Sequence, residues 1–145
     1  MDEEAFSLEL HRQLAYWQEM LFLRDWNIEL RIARQWDMLD SGTLAQCQWY
    51  IQRKDAIITV LHPDDLEGCA RRFINGEECD YDISLVHELL HLHFAAFHRD
   101  EDETAHEQVI NAISRGMVKV WRTRGAETPP PASHYHPHKP TEGYL

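Results

Sequence analysis

The stretch ISLVHELLHLHF, residues 83–94, decides how this chain reads. It is apolar enough for an interior, yet it holds three histidines and a glutamate. Ile83, Val86, Leu89, Leu90 and Phe94 recur at helical spacing, with Phe97 beyond them. This pattern predicts an amphipathic helix from about Asp82, as N-cap, to His98. His87 and His91 stand four residues apart and therefore only about 40° apart around the axis. Both sit at the border of the apolar face, where packing orients a ring and a cleft can still reach it. Glu88 lies about 100° further round, beside the point on which the two rings converge.

His87-Glu88-Leu89-Leu90-His91 has the form H-E-x-x-H. Two imidazoles so placed can each offer a nitrogen to a single zinc ion at about 2.0–2.1 Å. A glutamate beside that ion can take the proton from a metal-activated water as it attacks a polarised carbonyl. Zinc in a catalytic site usually has three protein ligands and an open position. Completion as H-E-x-x-H-x-x-G-x-x-H would need glycine at 94 and histidine at 97, where the chain has Phe94 and Phe97. His98 would stand about 10 Å along a straight helix from His91, too far to share its ion.

The other completion takes a ligand from the next helix. That helix is expected over about Asp102–Trp121, opened by acidic residues that suit the positive end of its dipole. Only RDED (99–102) separates the two helices, so they should form a tight antiparallel hairpin. With the turn near residue 100, the level of His91 falls near Val109 and that of His87 near Ile113. Glu107 is the acidic residue closest to that level and is the expected third ligand, with Glu103 and His106 as alternatives. Asn111, one turn on, is placed to hydrogen-bond the free nitrogen of a ligating histidine.

Upstream, residues 4–23 carry Phe6, Leu10, Leu14, Trp17 and Leu21 at helical spacing. WNIELRIAR (26–34) switches to period two, with Ile28, Leu30 and Ile32 against Glu29 and Arg31. After a turn at DSGTL (40–44), LAQCQWYI (44–51) alternates again, placing Ala45, Cys47, Trp49 and Ile51 on one face. AIITVLH (56–62) is apolar on both faces and should be the most buried strand. A short helix from Pro63 (63–73) and a solvated acidic loop (74–82) follow. The expected architecture is α+β: an N-terminal helix, a small sheet of three or four strands and a C-terminal helix hairpin. It forms one domain over residues 1–124. Residues 125–145, rich in proline and histidine without apolar periodicity, read as a flexible tail.

Charge and cysteines narrow the setting. There are 14 Lys+Arg against 25 Asp+Glu, a net −11, which argues against general nucleic-acid binding because cations drive phosphate contact. Cys47, Cys69 and Cys79 are odd in number with no C-x-x-C spacing, which fits free thiols in a reducing compartment. The acidic N-terminus lacks the order of a signal peptide, and no window approaches about 18 apolar residues. The expected protein is cytoplasmic and does not enter a membrane.

Over about residues 5–122, this order of helix, three strands, H-E-x-x-H helix and following helix with Glu107 resembles the core of the zincin metallopeptidases. It resembles in particular the small gluzincin-like metallopeptidases of phage and prophage genomes. The resemblance implies a zinc peptidase with His87, His91 and Glu107 holding one Zn2+ and Glu88 as the general base. It implies too that an edge strand within 44–61 pairs with an extended substrate peptide. A specific intracellular protein is the expected substrate, since unrestrained digestion inside a cell would be harmful. Tyr81, His93, His98 and His106 are candidates for stabilising an oxyanion. The competing readings are a non-catalytic zinc-binding module and a metal-dependent hydrolase of another class.

Overall fold

The computed structural model describes residues 2–124 apart from 41, 69–72, 75, 76 and 79. The expected tail therefore lies outside the described residues, as do Cys69 and Cys79. The fold is α+β, with three α-helices and a three-stranded sheet, and the last two helices form a hairpin.

Helix α1 is Glu3–Met20, capped by the Asp2 carboxylate, which accepts the Glu4 amide at 3.1 Å. Its periodic face buries Phe6, Leu10, Leu14 and Trp17. The helix stops three residues before the expected end at 23. Phe22 takes a left-handed φ of 58°, and the buried Gln18 amide donates to the carbonyls of Leu23 and Trp26 at 3.2 and 3.1 Å. Those two hydrogen bonds satisfy the exit turn and aim the chain into the sheet.

The sheet comprises β1 (Asn27–Ala33), β2 (Ala45–Tyr50) and β3 (Asp55–Leu61) in the order β1-β3-β2. β1 runs parallel to β3, from Asn27 opposite Asp55 to Ala33 opposite Leu61. β2 runs antiparallel, from Ala45 opposite Val60 to Tyr50 opposite Asp55. The central place of β3 explains its apolar side chains on both faces. Ile58 and Val60 enter the main core, while Leu61 on the opposite face joins a small cluster with Met38 and Leu44. β1 keeps the expected alternation, with Ile28 buried and Glu29 and Arg31 exposed and paired at 2.9 Å. In the β1–β2 connection, Gly42 has the left-handed φ of 80° that the turn requires. That connection is anchored where Asp65 accepts from the Arg34 guanidinium at 2.8 and 2.9 Å and from the Gln35 amide at 2.8 Å.

The helix expected at 63–73 is a shorter 3-10 segment, Pro63–Gly68. Within the expected acidic loop, Phe73–Ile74 and Glu77–Glu78 pair as a separate two-residue ribbon. Helix α2 is Tyr81–Phe94, so its N-cap is Asp80 and not the expected Asp82. The Asp80 carboxylate accepts the Ile83 amide at 2.7 Å, while the Asp82 carboxylate meets Arg122 at 2.8 Å. The helix ends at Phe94 because Ala95–Phe97 tighten into a 3-10 turn, and His98 becomes extended. Helix α3 is Glu103–Thr123, entered through a further 3-10 turn at Asp100–Asp102.

Helix α2 is the centre of the molecule, in contact with α1, α3 and β2. Leu85, Val86 and Leu89 are at most 1% exposed, so this helix cannot turn about its axis without opening the core. At the far end of the α2–α3 hairpin, Arg122 bonds both Asp80 and Asp82, at 3.0 and 2.8 Å. Short turn at one end and double ion pair at the other hold the helices in register. No helix among the described residues is long and apolar enough to cross a membrane.

Candidate metal centre

Burial of Leu85, Val86, Leu89 and Leu90 fixes the rotation of α2, which puts His87 and His91 at the border of the core, each half-buried. The antiparallel return of α3 brings Glu107 across from them. His87 Nε2 lies 3.2 Å from Glu107 Oε2, and His91 Nε2 lies 2.8 Å from Glu107 Oε1. The two Nε2 atoms are themselves 3.2 Å apart. Donors held by one tetrahedral zinc at about 2.0–2.1 Å stand roughly 3.3 Å from one another. The separations here are of that order, and one donor atom from each of the three side chains lies within 4.8 Å of the other two. Among the described residues this is the single cluster of three side chains suited to a metal ion.

Both Nε2 atoms face the same carboxylate and each other. Hydrogen bonds from His87, then from His91, already hold the Glu107 carboxyl well below the usual range.

Glu88, one residue along α2, is only 8% exposed and accepts no hydrogen bond among the described residues. Burial pushes its pKa from 4.5 up to about 8, opposed by His91 and assisted by the charge of Glu107. It neighbours Cys47 on β2, whose thiol is pushed up by burial and then by the Glu88 charge. Trp49, next along the same face of β2, stacks on His91 at 6.0 Å with 17° between the planes, and meets His98 edge-on at 5.6 Å. Phe94, His106 and His98 continue this aromatic wall at centroid separations of 5.5 and 6.3 Å.

The triad and Glu88 line a cleft of about 770 Å³ between α2, α3 and β2. β2 is an edge strand, as expected of one within 44–61. The Leu61 amide donates to the Leu44 carbonyl at 2.9 Å, which sets the antiparallel alternation. Residues 46, 48 and 50 therefore bond β3, and the main-chain groups of Ala45, Cys47 and Trp49 point outward along the cleft.

His87, His91 and Glu107 are brought together, with Glu88 alongside. The alternatives Glu103 and His106 line the cleft but stand outside the triad. Asn111 also lines the cleft, yet no hydrogen bond joins it to either ring, contrary to its expected role. Tyr81 and His93 are occupied elsewhere. The Tyr81 hydroxyl donates to the Leu61 carbonyl at 2.8 Å, and His93 Nε2 donates to the Leu21 carbonyl at 2.6 Å. Of the four oxyanion candidates, only His98 and His106 face the cleft. Sequence reasoning missed Trp49 as the support of His91; its place on the inward face of an alternating strand was the available signal. The buried His62 is a structural side chain: its Nδ1 accepts the Asp64 amide at 3.0 Å and its Nε2 lies 3.3 Å from Glu3.

Compared with known proteins, the chain matches no family model, no curated protein and no solved structure.

Proposed function

We propose that this protein is a zinc-dependent metallopeptidase of the zincin type, acting on a specific protein in the cytoplasm, where Cys47 stays a free thiol. The observation that carries the reading is Glu88. An acidic side chain buried without a hydrogen-bond partner costs stability and has no structural task here. Beside three convergent metal donors, it has a chemical one.

His87, His91 and Glu107 would hold the ion, on the side of the cleft. When bound, zinc would supply Lewis acidity toward a peptide carbonyl and an attacking water. Glu88 takes the proton of the attacking water and passes it to the leaving amine, a role suited to a carboxyl whose pKa lies near the working pH. The outward main-chain groups of Ala45, Cys47 and Trp49 pair with the substrate as an added strand. His98 and His106, which line the same cleft, are the candidates to stabilise the carbonyl oxygen that gains charge. Trp49 is a positioning residue, holding the His91 ring.

A purely structural zinc would be closed by a fourth protein ligand, and no fourth donor joins this cluster among the described residues. The test is metal analysis followed by peptide cleavage. About one zinc per chain is expected in the wild type and in Glu88→Gln, and it should be lost in His87→Ala, His91→Ala and Glu107→Ala. Cleavage should fall about 10²–10⁴-fold in Glu88→Gln with zinc retained. A wild-type chain that takes up no zinc would refute the reading.

A further inference from the structure

The cleft has a charge character that the metal centre does not require. Among its described lining residues there is no lysine or arginine. Beyond Glu88 and Glu107 it presents two carboxylates, Asp40 and Glu103, both exposed. Several carboxylates elsewhere in the described chain are matched. Asp25 meets Lys54, Glu29 meets Arg31, Asp65 meets Arg34, Asp80 and Asp82 meet Arg122, and Asp102 meets Arg99. Asp40 and Glu103 have no cationic partner among the described residues.

Their placement is directional. Asp40 follows Leu39, whose amide donates to the Gln46 side chain at 3.0 Å, so it stands at the Ala45 end of β2. Glu103 lies one helical turn from Glu107 toward the turn bearing His98, and His98 packs on Trp49 at the other end of β2. The two carboxylates thus flank the triad along the line of the open strand edge. From residue 45 to residue 49 that edge is about 13 Å long, the length of a four-residue advance in an extended peptide. Glu107 faces the two histidines and Glu88, nine-tenths buried, faces the cleft beside them. Asp40 and Glu103 are the carboxylates on the cleft's exposed rim, open to a ligand's side chain.

From this we infer that the site selects peptides with a lysine or arginine about two residues from the bond held at the metal, and rejects acidic ones. The inference rests on the metallopeptidase reading and adds the substrate class to it. Asp40 and Glu103 are then specificity residues, touching the substrate side chain and not the reacting atoms. Both are solvated, so the preference is modest and shrinks with salt.

The test uses the full chain loaded with zinc and three tripeptides ending in a hydroxamate, with lysine, alanine or glutamate first and Ala-Leu following. Calorimetric titration measures their affinities at low and high salt, and zinc analysis accompanies each protein. The lysine probe should bind about tenfold tighter than the glutamate probe at low salt. In Asp40→Asn/Glu103→Gln, the ratio should fall to within about twofold while the zinc content stays the same. Equal binding of all three probes to the wild type would overturn the selectivity and leave the metallopeptidase reading standing. Failure of every probe on a zinc-loaded chain would remove that reading, and this inference with it.

Discussion

In the metal-free chain Glu88 is a fault in the fold, and pH should show it. With a chelator present, the folded chain holds the Glu88 proton until about pH 8, whereas its ordinary carboxyl value is 4.5. Between those values the unfolded state binds fewer protons than the native one, so stability falls as pH rises. The full difference corresponds to roughly 5 kcal/mol, an upper bound because a burial penalty relaxes when water enters. A measured loss of about 2–4 kcal/mol from this group between pH 5 and pH 9 is expected. Urea unfolding of the chelated protein, followed by tryptophan fluorescence, reads it directly. Glu88→Gln keeps the shape and abolishes the titration, so the variant should gain on the wild type as pH rises. Below about pH 4.5 the two should be nearly alike. A wild-type-to-variant difference that stays constant from pH 5 to pH 9 would refute the assignment of a buried, unpartnered carboxyl.

Two further outcomes follow from other contacts. Replacing Trp49 with alanine removes the ring stacked on His91, and zinc affinity should drop about 10–100-fold in a competitive chelator titration, as when the support of a ligating histidine is lost; unchanged affinity would make the stack incidental. Asp65 is held at about pH 2, first by its hydrogen bonds from Arg34 and then by the Gln35 amide, so its contribution is present above about pH 4 and vanishes as pH falls toward 2. Asp65→Asn should therefore flatten the acid limb of a stability–pH curve, and a limb as steep as the wild type's would assign the acid sensitivity to other carboxylates.

The legible parts of this molecule are those set by contacts near in sequence. His87 and His91 are four residues apart on a strongly patterned helix, so their convergence follows from helix geometry alone. Glu107 could be found because RDED is too short for anything but an antiparallel return. The strand segments were legible from period two, and the apolar double face of residues 56–61 matches the central position of β3. Strand order itself is a matter of crossover connections, on which alternation is silent. The ends of α2 were misplaced for identifiable reasons. Asp80 and Asp82 are both cap-forming residues two positions apart, and local pattern does not choose between them; the chain uses Asp80, whose carboxylate accepts the Ile83 amide. The apolar spacing also runs on through Phe97, although the backbone has tightened at Ala95. Trp49 against His91 and Asp40 in the cleft depend on where β2 docks, which no local pattern encodes.

The partner separations along the chain also bear on how the molecule assembles. The triad is built within one helix pair, with His87 and His91 four residues apart and Glu107 twenty beyond His87. The open edge strand comes from the adjoining β2–β3 ribbon, whose closing pair is Tyr50 and Asp55. Parallel pairing of β1 with β3 closes a wider loop, as Asn27 must find Asp55 across 28 positions. Loop-closure entropy separates the helix hairpin from the completed sheet by only about 0.3 kcal/mol, so the hairpin need not wait for the sheet. A metal bound at the triad would tie α2 to α3, so that the proposed ion would bear on the folding of the chain as well as on the proposed chemistry.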